Sequence, residues 1–447
     1  MINAVCGIRS TGRICTDIAK DLEKQGYEVK IAYGRETVPE QYQKYAVRIG
    51  NNVDVYWHAL MTRLFDDRGY WSRIATKKFL KWAEEYDPDL LWLHNLHDYF
   101  INIDMLFDWI KSRPQMEVKW TQHDCWAFTG HCSYFTMVKC EQWKTHCSYC
   151  PKKTPFPHDS LFNQCQRNFD RKKKAFTGVK NMTLISPSQW LADLIKESFL
   201  REYPVQVVHN TIDTNIFKPT PSDFRKQYGV EDKKIVLGVA SAWTKRKGLD
   251  DFIRLSEMLD DTYAIVLVGL TDKQIKKLPK KIIGIKRTNN IEELAGLYTT
   301  ADVFVNPSRE ETFGMTTIEA QACGTPAIVY KDTACEEVVK NYGGLAVEQD
   351  FGSLHATIIR KLSGGGVIVL IPRTNSATEL AEIYTASDVF VNPTYEDNYP
   401  TVNLEARACG TPVITYDTGG SPESAGSNAV VVDTGDVTTL YENVCNI

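Results

Sequence analysis

Residues 302–330 read DVFVNPSREETFGMTTIEAQACGTPAIVY, and the order of residue types in this stretch dictates a local structure. Val303, Phe304 and Val305 make a short apolar strand, stopped at Asn306-Pro307 because proline has no N–H to add to a ladder. A polar loop follows, holding Glu310, Glu311 and Gly314. The pattern then predicts a helix from Thr316 or Thr317, either of which can cap it, with Glu319 in its first turn. Gly324-Thr325-Pro326 ends that helix, and residues 327–330 are the next strand. The loop therefore stands at the carboxyl end of a strand and before a helix N-terminus. In open α/β sheets, phosphates and sugars bind at that place, on free amides and the positive end of the dipole.

Glu311 and Glu319 frame the loop with seven residues between them. Carboxylates accept from vicinal hydroxyls, and bare amides near Gly314 suit an anion. The plain alternative makes Glu311 a solvated loop residue and Glu319 a favourable charge at a helix start. E-x7-E set within strand, loop, helix, Gly-Thr-Pro and strand resembles the retaining glycosyltransferases of family 4. The resemblance implies an α/β chain of the GT-B fold, two Rossmann-like domains with a cleft between them. It also implies Glu319 on the nucleotide ribose and Glu311, as a catalytic residue, facing the donor sugar. The amides around Phe313, Gly314, Met315 and Thr316 would meet the sugar and the diphosphate.

The chain has 447 residues, enough for two or three domains. Hydrophobic content of 43% and charged content of 24% are those of an ordinary globular protein. A net charge of −4 argues against nucleic acid as a partner, since such binders carry a basic domain. No apolar run is long enough to span a bilayer, and the start of the chain lacks the basic and apolar regions of a signal peptide. Twelve cysteines without a secretory signal point to a reducing compartment, so the expected location is cytoplasmic. The basic run 171–174 either faces anionic lipid at the inner face of the membrane, a peripheral contact, or is a solvated helix face.

The chain opens on a strand at residues 2–5, a turn from Cys6 to Arg13, a helix at 14–25 and a strand at 27–33. Gly7 and Gly12 allow close approach to a ligand, and Arg13 can meet a phosphate; an ordinary βα turn reads the same way. The turn is similar to the glycine-rich loop of family 4, with Arg9 where a further glycine is expected. Residues 90–93 and 118–122 are buried-type strands that deliver His94, Asn95 and His97, then His123 and Asp124, to the loops after them. The resemblance puts His123 against the donor sugar, its ring on hydroxyls and its carbonyl favouring positive charge at the anomeric carbon. A capping or core histidine is the other reading.

Cys125, Cys132, Cys140, Cys147 and Cys150 crowd the segment that follows, within an insertion at 125–165. Cys147-x-x-Cys150 has zinc-knuckle spacing, and Cys132 and Cys140 complete a four-sulfur tetrahedron for a structural zinc. Such a metal would order a long loop that lacks a core of its own. Small buried thiols packed with aromatics are the alternative. The insertion resembles one found in capsule-type members of family 4.

A pattern N-x-x-D-x-x-x-F-x-P from Asn210 to Pro219 resembles the connection between the family's two domains. It divides an N-terminal domain, 1–208, from a C-terminal nucleotide-sugar domain, 209–350. The second domain opens with a strand at 235–239 and a turn holding Lys245, Arg246 and Lys247. By resemblance Lys247 clamps the donor diphosphate, while the family's arginine falls on Ala242 and Arg246 or Lys245 would supply its charge. Then the pattern recurs: residues 388–416 match 302–330 at 16 of 29 positions without a gap, starting at Asp388 against Asp302. The similarity reaches back to Arg373-Thr374-Asn375. Residues 351–447 read as a duplicated C-terminal half domain with Asp397 and Glu405 as its acidic pair.

The function implied is transfer of a sugar from a nucleotide-diphosphate donor to a glycan or lipid-linked acceptor, with retention at the anomeric carbon. No cofactor is expected for catalysis, since no DxD-like metal motif is apparent. The competing readings are a folded but inactive remnant that binds a partner and a zinc-dependent nucleic-acid module.

Overall fold

Strands apolar on both faces, such as LLWL at 90–93 and KIVLGV at 234–239, are stable only in a parallel sheet covered by helices on both sides. A computed structural model of the chain describes residues 1–148, 150, 162–341, 343–362, 374 and 376–445. The expectations that touch residues 151–161 of the insertion, and Arg373 and Asn375 at the start of the repeat, lie outside these.

In the N-terminal half, Leu90–Leu93, Glu117–Thr121, Met182–Ser186 and Val205–Val207 pair in that order, all parallel. Ile31–Tyr33 pairs with Ala46–Arg48, and Ile2 bridges both Ala32 and Leu93, which joins the two groups. The expected first strand is thus reduced to one bridged residue, although Asn3 N donates to Ala32 O at 3.0 Å and Gly34 N to Ala4 O at 3.2 Å. It is cut short because the chain turns at once through Gly7, with φ of 73°. The helix after it begins at Arg9, not residue 14, and runs to Lys24.

In the C-terminal half a six-stranded parallel sheet has the order Leu345–Val347, Ala327–Tyr330, Val303–Asn306, Lys234–Val239, Tyr263–Val268, Ile282–Ile285. The chain enters at the middle, builds outward in one direction, then returns to build on the other side. The order reverses between Lys234–Val239 and Val303–Asn306, so the loops after these two strands diverge and leave a crevice at their carboxyl ends. That topology makes the 241–248 and 307–314 loops neighbours.

The chain divides into two compact units, residues 1–366 and 367–447, rather than at 350/351. The reason is packing. The helix Phe351–Leu362 buries Phe351, Leu354, Ile358 and Leu362 against Val236, Val305 and Ile328 of the six-stranded sheet. The second unit has a parallel three-stranded sheet, Phe390–Asn392, Val413–Tyr416 and Val430–Val432. It repeats the first in detail. Tyr298 Oη donates to Glu319 Oε2 at 2.9 Å, and Tyr384 Oη to Glu405 Oε2 at 3.3 Å. Asn306 Nδ2 donates to Thr317 Oγ1 at 3.1 Å, and Asn392 Nδ2 to Asn403 Oδ1 at 3.0 Å. No counterpart of Lys234–Val239 lies beside Phe390–Asn392 among the described residues.

That difference has an energetic consequence. Phe304 is fully buried and meets the Tyr298 ring edge-on at 5.6 Å; Phe390 meets Tyr384 at 5.3 Å but is only half-buried. Phe304→Ala should cost about 3–5 kcal/mol, and Phe390→Ala clearly less, because its ring gives up less burial. Hydrogen exchange of the amides in each sheet reads the two losses separately.

Candidate active site

Glycine starts the helix Met315–Ala322. Gly314 has φ of 92°, and a Cβ on it would come within 2.5 Å of Cys335 Sγ. The helix begins one or two residues before the expected threonines, and no side chain caps it. Thr317 turns its hydroxyl to Asn306 instead. Thr317 N donates to Gly314 O at 2.9 Å, and the amides of Met315 and Thr316, which have no intrahelical partner, are left to a ligand. Glu319 consequently sits in the second turn and not the first, so it is no charge at the helix start. Its carboxylate takes the hydrogen bond of Tyr298. Burial pushes its pKa up, against the Tyr298 bond and the charge of Arg13, which projects from the first helix of the N-terminal half.

Lys247 and Glu311 meet across the reversal point of the sheet. Each comes from one of the two neighbouring loops, and their ion pair leaves the side chains only 19% and 13% exposed. Burial alone would raise the carboxyl of Glu311, but Lys247 and then Arg246 overcome it and hold the group below the usual range. The alternative reading, a solvated loop residue, does not hold: Glu311 is largely withdrawn from solvent and ionised. Arg309 N donates to Arg246 O at 2.9 Å, sewing the two loops together. Arg246 lies 4.1 Å over the Tyr134 ring and donates to the carbonyl of Glu310, so its guanidinium braces the loop. Ala242 and Lys245 are exposed at the rim. Phe313 is buried and Met315 and Thr316 are half-buried.

The N-terminal half grips the same loop at three points. Thr312 Oγ1 donates to His123 O at 2.9 Å, and Ser188 Oγ donates to Thr312 O at 2.9 Å. Glu310 Oε1 accepts from Met137 N at 2.7 Å and Thr136 Oγ1 at 3.0 Å. The His123 carbonyl is thus engaged by Thr312. Its ring pairs with His94, Nε2 to Nδ1 at 3.1 Å, and burial pushes its pKa down to about 4, so the ring is neutral. Beside it, burial opposes the charge on His97, but Asp124 at 2.9 Å and Asp98 raise its pKa to about 9. Gly7 and Gly12 form the closed turn at the start of the chain, Gly7 N donating to Gly12 O at 3.1 Å. Arg9, where the glycine was expected, takes φ of 56°, the left-handed region that glycine favours. Thr136, Met137, Ser188, Thr312 and Tyr298 escape the sequence reading, and Glu310 figures in it only as a polar loop residue. Only Ser188, before a helix it does cap, carries a local signal.

Cys132 and Cys150 come together with His131, with ligand atoms within 4.8 Å of one another, but Cys140 and Cys147 are not in that group. Nor is the span without a core: Phe128, Phe135 and Trp143 pack into the main cluster of the N-terminal half.

Two Rossmann-like halves meeting at such a loop have known counterparts. The structure superposes on sucrose-phosphate synthase of Thermosynechococcus elongatus with a TM-score of 0.59, at 16% identity, over 81% of this chain and 89% of the other. The fold is GT-B. A second GT-B counterpart is Anabaena HepE, solved in complex with UDP, with a TM-score of 0.54, at 16% identity, over 82% of this chain and 91% of the other. Residues 11–216 match the family described as Glycosyltransferase Family 4, and residues 222–365 and 353–447 match families described as Glycosyl transferases group 1. An Escherichia coli protein named as a colanic acid biosynthesis glycosyl transferase is 24% identical over 271 residues, 59% of this chain and 65% of that relative. The chain spans less than two thirds of the length of the curated relatives it matches first. No described helix is long and apolar enough to cross a membrane.

In the GT-B cleft the His97–Asp124 pair gives a pH signature. A histidine titrates near 6.5 when unfolded and at about 9 here. The pair's contribution is therefore complete below pH 6.5 and lost as pH rises through 9. His97→Gln should cost about 3 kcal/mol at pH 6 and much less at pH 9.5, read from denaturant midpoints. Equal losses at both would mean that the pair is not ionic.

Proposed function

We propose that the cleft binds a nucleotide-diphosphate sugar and transfers the sugar, with retention and without a metal, to a glycan or lipid-linked acceptor. The observation that carries this reading is the Lys247–Glu311 pair at the sheet's reversal point, beside an uncapped helix start and Glu319. Glu319 receives the ribose hydroxyls. Lys247, the amides of Met315 and Thr316 and the reach of Arg13 meet the diphosphate, with Gly7 and Gly12 giving it room. Glu311 and the neutral His123 ring face the sugar. The bond from the anomeric carbon to the leaving phosphate oxygen breaks as the acceptor oxygen adds on the same face, and the acceptor proton passes to that phosphate. Stabilisation of the leaving charge by fixed donors is the main source of rate in such a step. The UDP bound in HepE supports uridine as the first nucleotide to test. The relative named for colanic acid supports a growing polysaccharide as acceptor. We place the reaction in the cytoplasm; of the basic run 171–174, Lys172 is buried on Trp126 O and Thr129 O and Arg171 pairs with Asp104, so a peripheral membrane contact would fall to Lys173 and Lys174.

Glu319→Ala should weaken UDP binding by about 1.5–3 kcal/mol, the range for a charged hydrogen bond, as measured by calorimetry. Unchanged affinity in a folded variant would remove Glu319 from the ribose site.

The working copy is the first, because among the described residues only its loop carboxylate pairs with a lysine, Lys247. Glu311→Gln with Glu319→Gln should abolish donor turnover, and Asp397→Asn with Glu405→Gln should leave it intact. The opposite pattern would make the second copy the site. UDP binding with no turnover of any donor would favour an inactive binding protein.

A further inference from the structure

We propose that the cysteine-rich span holds one structural zinc ion on His131, Cys132, Cys147 and Cys150, with histidine in place of the fourth thiol. Three of these donors, from His131, Cys132 and Cys150, converge to within 4.8 Å of one another although they come from opposite ends of the span. The histidine is already oriented for a metal. Its Nδ1 donates to Asp66 Oδ2 at 2.8 Å, and the same oxygen accepts from Gln164 N at 3.0 Å. Asp66 is itself buried and closes the helix Asn52–Phe65. A carboxylate on one ring nitrogen fixes the tautomer and turns the other nitrogen, Nε2, outward, the arrangement of metal-bound histidines. Cys147 lies outside this converged group and completes the set by its C-x-x-C spacing to Cys150. Its Sγ accepts from Gly130 N at 3.3 Å, an N–H to sulfur bond that supports a thiolate, and Gly130 is next to His131. Three thiolates and one imidazole make a closed tetrahedral set with no open position, so the ion is structural. Cys140 also lies outside the converged group and has no such spacing to Cys150, so it is left out.

Between the two halves of this site lie Tyr134, Thr136 and Met137, which brace Arg246 and Glu310. Closing the span at its ends fixes the residues that hold the donor loop, without any ligand of the metal touching that loop. The zinc therefore acts on the cleft through position.

The test is elemental analysis of the full chain purified without added metal, with about one zinc per chain expected for a closed four-ligand site. His131→Ala, Cys132→Ser and Cys150→Ser should each lose most of it, and Cys140→Ser should keep it. Since ligand variants can misfold, a second measurement uses the natural chain with cobalt in place of zinc. Its visible spectrum should show tetrahedral bands with thiolate charge transfer, and a thiol-blocking mercurial should release one ion per chain. Metal-free natural protein of full thermal stability, a Cys132–Cys150 disulfide by mass, or metal loss in Cys140→Ser equal to that in Cys132→Ser would each overturn the assignment.

Discussion

A carboxylate withdrawn from water must be given a charge, and the pairing of Glu311 with Lys247 is the point on which the cleft depends. The two residues are 64 positions apart in the chain and belong to different loops. They can meet only because the six-stranded sheet reverses its order between the strands that carry those loops. The pair in turn decides what the crevice offers a ligand. It sets a cation and an anion side by side at the mouth of a helix whose first amides no side chain has claimed. A ligand with a diphosphate and a sugar has groups for each of them.

The loop between Pro307 and Gly314 is held from more sides than its sequence suggests. Its neighbour loop braces it through Arg246, and the N-terminal half holds it through the His123 carbonyl, Ser188 and the amide of Met137. Each grip uses a backbone group or a short side chain, so small changes of position would be felt at Glu311. The same principle explains the aromatic cluster of Phe128, Phe135 and Trp143: it anchors the span that reaches Glu310. The second unit shows what is lost without such support. Its strand, helix and Tyr–Glu contact repeat faithfully, yet Asp397 has the amide of Tyr399 where Glu311 has Lys247.

The sequence by itself determined the strand, helix and strand of 302–330, the repeat 86 residues on, and the acidic pair, because these follow from local periodicity, proline and glycine. The strand Ala327–Tyr330 falls where the pattern put it, and Arg9 adopts the backbone of the glycine it replaces. The start of the helix was misread because threonine is a good cap only when its hydroxyl is free, and Asn306 takes it. The end of the first unit was misread because residues 351–362 carry an apolar face whose partner is a distant sheet. Tertiary structure alone decided that Glu311 is buried and ionised, that Thr312 takes the His123 carbonyl, and that His131 rather than Cys140 joins Cys132 and Cys150. Each of those outcomes is a contact between residues far apart in the chain, and spacing along a chain carries no information about which distant groups will meet.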